Sequence, residues 1–351
     1  MAKQNIKIDL ERKVYSTTFD YPIQTIVDMY KKKEVIIPDF QRDYVWNSKD
    51  EEKPSRLIES LLLNMPIPNF YFAEDETLKY SVIDGQQRIK TVYRFFEDEF
   101  KLTGLDFKKE LEGKKYSELD EIDRDKIRKR GIRVIVIGNE SNSEVRFDIF
   151  ERLNSGSMSL SSQDIRHAIY NGSLNQLLIE LSPFVNKNMV FSKAIDKATK
   201  SAEEMILRFF AFYDQGENDF GTVDNYIKLF LNDFMKNNKD MSKERIDKFK
   251  LIFQNSLAKI LEYCGEKPFQ RITKKNYKEG KGNRSIFDFL MLAFAFEKNI
   301  KIPKERFLEV YKKTFENDDQ MKKNLGYTNK KNLGYNVDIV RKILRGETEM
   351  K

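Results

Sequence analysis

Residues 79–96 read KYSVIDGQQRIKTVYRFF. Lys79 to Ile83 is a short β-branched and aromatic run that predicts a strand, and Gly85 permits a sharp reversal. Ile89, Val92, Tyr93 and Phe96 then recur at helical spacing and predict an amphipathic helix over 86–96. Asp84-Gly85-Gln86-Gln87-Arg88 therefore falls at a strand-to-helix junction. The first backbone N–H groups of a helix have no intrahelical acceptor and lie at the positive end of its dipole, which suits a phosphate. Arg88, in the first turn, can add a bidentate contact to the same oxygens. Asp84 can hold a divalent ion against the phosphates or orient a water. The same residues also fit a plainer arrangement, in which Asp84 caps the helix and Arg88 is solvated. The adjacent amides Gln86 and Gln87 have no capping need and weigh against it.

Outward from this turn, VIIP (Val35 to Pro38), IPNFYFA (Ile67 to Ala73) and IRVIVIG (Ile132 to Gly138) are further short runs bounded by turn residues, and each predicts a strand. Helical patterns lie between them over 23–30, 56–63 and 118–129. Together they predict an α+β domain over residues 15–140. A second polar cluster, PDFQRDYVW (Pro38 to Trp46), follows one predicted strand. Gln41 and Arg42 supply donors for a phosphate or a base. Tyr44 or Trp46 can stack on a ring, although the only Trp of the chain is better read as a core plug.

After Ser141 the strand signals stop. Apolar residues recur at helical spacing around 145–153, 165–169, 174–181, 205–212, 223–234, 249–261, 286–296 and 307–315, predicting a mostly α-helical domain over 141–351. Ser161 with Asp164 fits a capping box that starts one helix, and Asn171-Gly172 fits its end. KKNLGY occurs at Lys322 to Tyr327 and again at Lys330 to Tyr335, and its Asn, Gly and Lys content predicts surface loop.

At 351 residues the chain exceeds what one core usually serves, so two domains are expected. A hydrophobic fraction of 40% with 27 Phe and 16 Tyr is that of a folded protein rather than a disordered one. A single Cys and a single His exclude an internal disulfide and the usual zinc-site spacings, so any metal chemistry falls to carboxylates. The first residues have no apolar core of the kind a signal peptide carries, and the longest apolar run is too short for a bilayer. A cytoplasmic protein without membrane contact is expected. Residues 266–351 hold 21 Lys/Arg against 12 Asp/Glu, so a polyanion surface belongs in the last quarter. Within it, segment 267–284 interleaves Phe269 and Tyr277 with basic residues. Arg271, Lys274, Lys275, Lys278 and Arg284 are its candidate nucleic-acid contacts, against the alternative of an ordinary solvated loop.

Four ordered blocks, IPDFQRDYVW, RLIESLLLNMPIPNFYF, VIDGQQRIKTVYRFF and FERLNSGSMSLSSQDIRHAIYNG, resemble the family with the DGQQR motif. That family includes the N-terminal domain of GmrSD-type modification-dependent restriction enzymes, and its fold is similar to that of ParB and sulfiredoxin. The resemblance implies a ParB-like domain followed by the helical one, a nucleoside triphosphate as ligand with Mg²⁺ as its companion, and a place in defence against phage DNA. It implies Asp84, Gln87 and Arg88 as catalytic residues, with Asp84 at the metal. Gln41, Arg42, Gly85, Gln86, Arg152, Asn154, Gln163 and Arg166 match its nucleotide-binding positions; Asp164 stands where the family more often has Glu. Many relatives continue into an HNH nuclease, whose chemistry needs several His. His167 alone cannot supply it, so a nuclease acting in trans is one implied partner and DNA another. Three activities remain open: nucleoside triphosphate hydrolysis or sensing, ParB-like DNA nicking, and a non-catalytic DNA- or partner-binding module.

Overall fold

The computed structural model describes residues 14–37, 46, 51–74, 78–141, 143–153, 161–189, 201–217, 227–270, 282–326 and 330–347. The chain divides into two compact units, Met1–Leu160 and Ser161–Lys351. The division falls beyond 140 because the helix Ser143–Leu153 packs against a strand of the first unit.

The first unit is built on a five-stranded mixed sheet in the order β1-β5-β3-β4-β2, comprising β1 (Ser16–Pro22), β2 (Val35–Ile36), β3 (Phe70–Glu74), β4 (Tyr80–Asp84) and β5 (Gly131–Ile137). β3 runs parallel to β5 and antiparallel to β4, while β1 lies antiparallel along the outer side of β5. α1 (Ile23–Lys31), α2 (Glu52–Leu62), α3 (Gln86–Phe96) and α4 (Glu121–Arg128) pack on one another, and α5 (Ser143–Leu153) packs on β4. The core joins the buried strand residues Phe70, Phe72, Val82 and Val134 to the helix residues Ile26, Ile58, Ile89 and Phe95, with Trp46 packed half-buried against it. The spacing of Ile89, Val92 and Phe95 along α3 explains why that helix buries one face. β1 escaped the sequence reading because STTFDYP is an exposed edge strand with no apolar run.

Thr103 to Lys108 adopts no regular secondary structure, yet each of its backbone N–H groups donates to a side chain. Thr103 donates to Ser55 Oγ (2.9 Å), and Gly104 and Leu105 donate to the Glu112 carboxylate (2.7 and 3.2 Å). Asp106, Phe107 and Lys108 donate to the carboxylate of Glu59, which is buried one turn beyond Ser55 on α2 (3.1, 2.7 and 2.7 Å). Burial pushes the Glu59 pKa upward, but those three amides outweigh it and hold the carboxyl below its ordinary value.

The second unit is helical: α6 (Ser162–Ile169), α7 (Ser173–Asn188), α8 (Ser201–Gln215), α9 (Ile227–Asn237), α10 (Lys243–Cys264), α11 (Arg284–Phe296), α12 (Lys304–Asn317), α13 (Asp319–Lys323) and α14 (Lys330–Leu344). Ser161 and Asp164 form the expected capping box on α6. The apolar helix α11 lies in the core among α8, α10 and α14. The second KKNLGY does not form a loop. It opens α14, because Leu333 belongs with Val337, Val340 and Leu344 on one buried helical face, and that period overrides the turn-like composition. The first copy ends α13 and continues into a single 3-10 turn, Asn324–Gly326.

Candidate phosphate-binding turn

β4 ends at Asp84 and α3 begins at Gln86, with Gly85 between them as the N-cap. Gly85 has φ +108°, in the left-handed region, and a Cβ there would meet two Phe70 ring atoms at 3.0 Å. Two separate constraints thus demand glycine: the backbone angle and the closeness of β3. Ile89 N donates to Gly85 O (2.9 Å), which closes the first helical turn. The cap residue has no side chain, so no cap oxygen competes for the first-turn amides. Asp84 is therefore not the helix cap. It is the last residue of β4, set opposite Tyr71 where the β3–β4 register shifts.

Arg88 is the structural centre of the turn rather than a solvated arm. Its Nη2 donates to Asp84 Oδ2 (2.6 Å), while Nη1 donates to the carbonyl of Pro68 and, more weakly, to that of Asn69 (3.4 Å). The guanidinium lies 4.7 Å over the Phe70 ring. Its side chain is only 11% exposed, against 43% for Asp84. Burial draws the Arg88 pKa below its ordinary value against the opposing pull of Asp84, and the group stays charged at any working pH. The arginine thus ties the end of β4, the chain entering β3 and the start of α3 into one unit. The carboxylate it holds keeps nearly half its surface open. Gln86 and Gln87 sit half-buried in the first turn of α3.

The other sequence-derived candidates fall into two groups, those among the described residues and those outside them. Gln41, Arg42, Asn154, Arg271, Lys274, Lys275 and Lys278 fall outside the described residues. Arg152 is exposed in the last turn of α5. Gln163 and Arg166 lie on α6 in the second unit, and both are buried. Arg166 donates to Asn232 Oδ1 of α9 (2.9 Å), to Gln163 Oε1 (3.1 Å) and to Glu204 of α8 (3.2 Å). Glu204 also pairs with Arg284 (3.2 Å), at the start of α11. Beside this network, Arg208 pairs in bidentate fashion with the fully buried Asp288. Here Gln163 and Arg166 knit helices together. His167 is likewise a packed residue, with Nε2 3.3 Å from Glu203 Oε2.

Among the described residues no group of three or more His, Cys, Asp or Glu is placed to hold a metal ion, so Asp84 offers a single carboxylate. Sequence reasoning missed Pro68, Asn69 and Phe70 as parts of the turn. Pro68 and Asn69 act through backbone carbonyls and Phe70 through its ring face, which no residue spacing discloses. Nor did it find Asn232 and Glu204, the partners of Arg166.

Residues 23–171 match the family model of the GmrSD restriction endonuclease, N-terminal domain. The matched segment contains β2 to β5, the turn at Gly85 and α6. No curated protein and no solved structure matches the chain. Over residues 23–171, 149 of the 351 residues, the chain is similar to the N-terminal domain of GmrSD restriction endonucleases.

Proposed function

We propose that the turn at residues 84–88 binds the phosphates of a nucleoside triphosphate and hydrolyses it, coupling the nucleotide to the work of a restriction system. The observation that carries this is the combination at one junction of a side-chain-free, left-handed N-cap and a half-exposed carboxylate held rigid by a buried arginine. The first-turn backbone of α3 faces phosphate oxygens with its N–H groups, and Asp84 stands at their edge. Mg²⁺ suits this donor set, because it commonly takes one or two protein carboxylates and completes its shell with phosphate oxygens and water. When bound it neutralises charge on the transferred phosphoryl group. The chain itself supplies position. Asp84 presents the oxygen that Arg88 does not hold, and Arg88 fixes the angle at which it does so. Gln87 orients the attacking water.

Phosphate release from each of the four nucleoside triphosphates with Mg²⁺, measured on the purified chain, tests the reading. Release that disappears in Asp84→Asn supports it. Plasmid nicking without nucleotide that survives Asp84→Asn refutes it in favour of a nuclease. DNA binding with no nucleotide effect on Tm refutes it in favour of a non-catalytic module.

A further inference from the structure

β1 is the terminal strand of the sheet among the described residues, and it differs from the opposite edge. β2 closes that side with two residues, whereas β1 runs for seven. Long edge strands are ordinarily blunted by Lys, by Pro within the strand, or by a bulge. β1 has no Lys, its only Pro is its last residue, and its register with β5 runs unbroken from Ser16↔Ile137 to Pro22↔Gly131. Its one charge, Asp20, is already matched on the same sheet by Arg133 (3.0 Å).

The direction of the backbone groups follows from the pairing. Gly138 N donates to Tyr15 O (2.9 Å) and Ile23 N donates to Arg130 O (2.8 Å), so the odd-numbered residues of β1 address β5. The peptide groups of Ser16, Thr18 and Asp20 and the carbonyl of Pro22 therefore point outward.

We infer that this edge pairs antiparallel with β1 of a second copy of the chain, about a two-fold axis at Phe19. In that register Thr18 and Asp20 of one copy exchange both backbone hydrogen bonds with Asp20 and Thr18 of the other. Ser16 N–H donates to the Pro22 carbonyl, and Pro22, which has no N–H to offer, falls where the ladder ends. Phe19 meets Phe19 at a non-hydrogen-bonded position, where side chains approach closest, and aromatic pairs stabilise such positions. The aromatic face already exists within one copy, since the Phe19 and Tyr21 rings stack at 5.4 Å. Charge selects the register: a two-residue slip that sets Asp20 against Asp20 opposes like charges, whereas the Phe19-centred one sets Asp20 against Thr18. A second copy fits because this segment complements itself in outward groups and length, in a register that sets no like charges directly opposite. The inference does not depend on the nucleotide reading.

Sedimentation equilibrium of the full chain, taken into the high micromolar range, gives the first test, with a concentration-dependent dimer expected. Thr18→Pro removes an outward N–H and leaves the bonds to β5 in place, and Thr18→Lys adds the usual edge guard. Each variant should weaken the dimer about tenfold or more while leaving the urea midpoint unchanged. Phe19→Cys should form a disulfide-linked dimer on mild oxidation, because non-hydrogen-bonded partners sit at about 4.5 Å between Cα atoms. Thr17→Cys, opposite Tyr21 in this register, should not. Cys264, buried in the second unit, does not compete. A wild-type chain that stays monomeric overturns the inference, as does a dimer indifferent to both Thr18 variants or cross-linking through Thr17→Cys rather than Phe19→Cys.

Discussion

Replacing Arg88 with Ala, in the absence of any nucleotide, separates a strut from an arm that waits for phosphate. The guanidinium makes charge-assisted bonds to the Pro68 and Asn69 carbonyls; bonds to charged groups contribute roughly 1.5–3 kcal/mol, the solvent-exposed one to Pro68 falls at the low end, and the weaker 3.4 Å contact contributes less. Stacking over Phe70 adds about 0.5–1 kcal/mol. The Asp84 pair adds only about 0.5 kcal/mol, since Asp84 is 43% exposed and solvent screens it. Arg88→Ala should therefore destabilise the first unit by about 2–4 kcal/mol. Trp46, the only Trp of the chain, packs against the core of that unit, so its fluorescence during a urea titration follows the first unit alone. With a slope of roughly 1–3 kcal/mol per molar for a domain of this size, the midpoint should fall by about 1–2 M. Arg88→Lys should land between, because an ammonium cannot span Asp84 and two carbonyls at once. A change below about 0.5 kcal/mol, the range of ordinary surface substitutions, would refute the strut and return Arg88 to the role of a free phosphate ligand.

Gly85→Ala places a Cβ at 3.0 Å from Phe70 with φ at +108°, so the same fluorescence titration should show a loss of about 1–3 kcal/mol, partly relieved by Phe70→Leu. For Glu59 the folded pKa lies below its ordinary 4.5, so its stabilising contribution is complete above that value and is lost as pH falls through the folded one. Glu59→Gln should therefore flatten the acid limb of a stability-versus-pH curve below about pH 4.5; an unchanged limb would show that the three amides do not favour the charged form. Burial pushes the Cys264 thiol up to about 12, so a thiol reagent at pH 8 should label it only at the rate at which the second unit opens, and rapid labelling of the native chain would contradict its buried position.

Much of this architecture is visible in the sequence, and the exceptions have physical causes. Gly85 and the period of Ile89, Val92 and Phe96 mark α3 to its observed limits, because a strand meeting an amphipathic helix changes period abruptly at a glycine. The four runs of β-branched and aromatic residues mark β2, β3, β4 and β5, because each of these strands buries apolar side chains. β1 is hidden because an edge strand needs no apolar run. The capping box on α6 is legible because it is local, whereas the partners that bury Arg166, on α8 and α9, are tens of residues away. The candidate turn shows the same limit. Asp84 to Arg88 can be read as a junction, but the acceptors that fix Arg88 lie 19 and 20 residues earlier on backbone atoms, where residue type carries no signal.

The tied segment between Thr103 and Lys108 behaves like a strand whose neighbour is a pair of carboxylates. Surface connections of irregular shape are the usual places to insert a tag, a fluorescent domain or a new terminus. This one should reject them: each added residue shifts the N–H groups out of reach of Glu59 and Glu112, and the anchoring carboxylate of α2 is left buried with its charge unanswered. By the same logic its amide protons should exchange with solvent slowly, at a pace set by the opening of α2 rather than by the looseness that an irregular trace suggests.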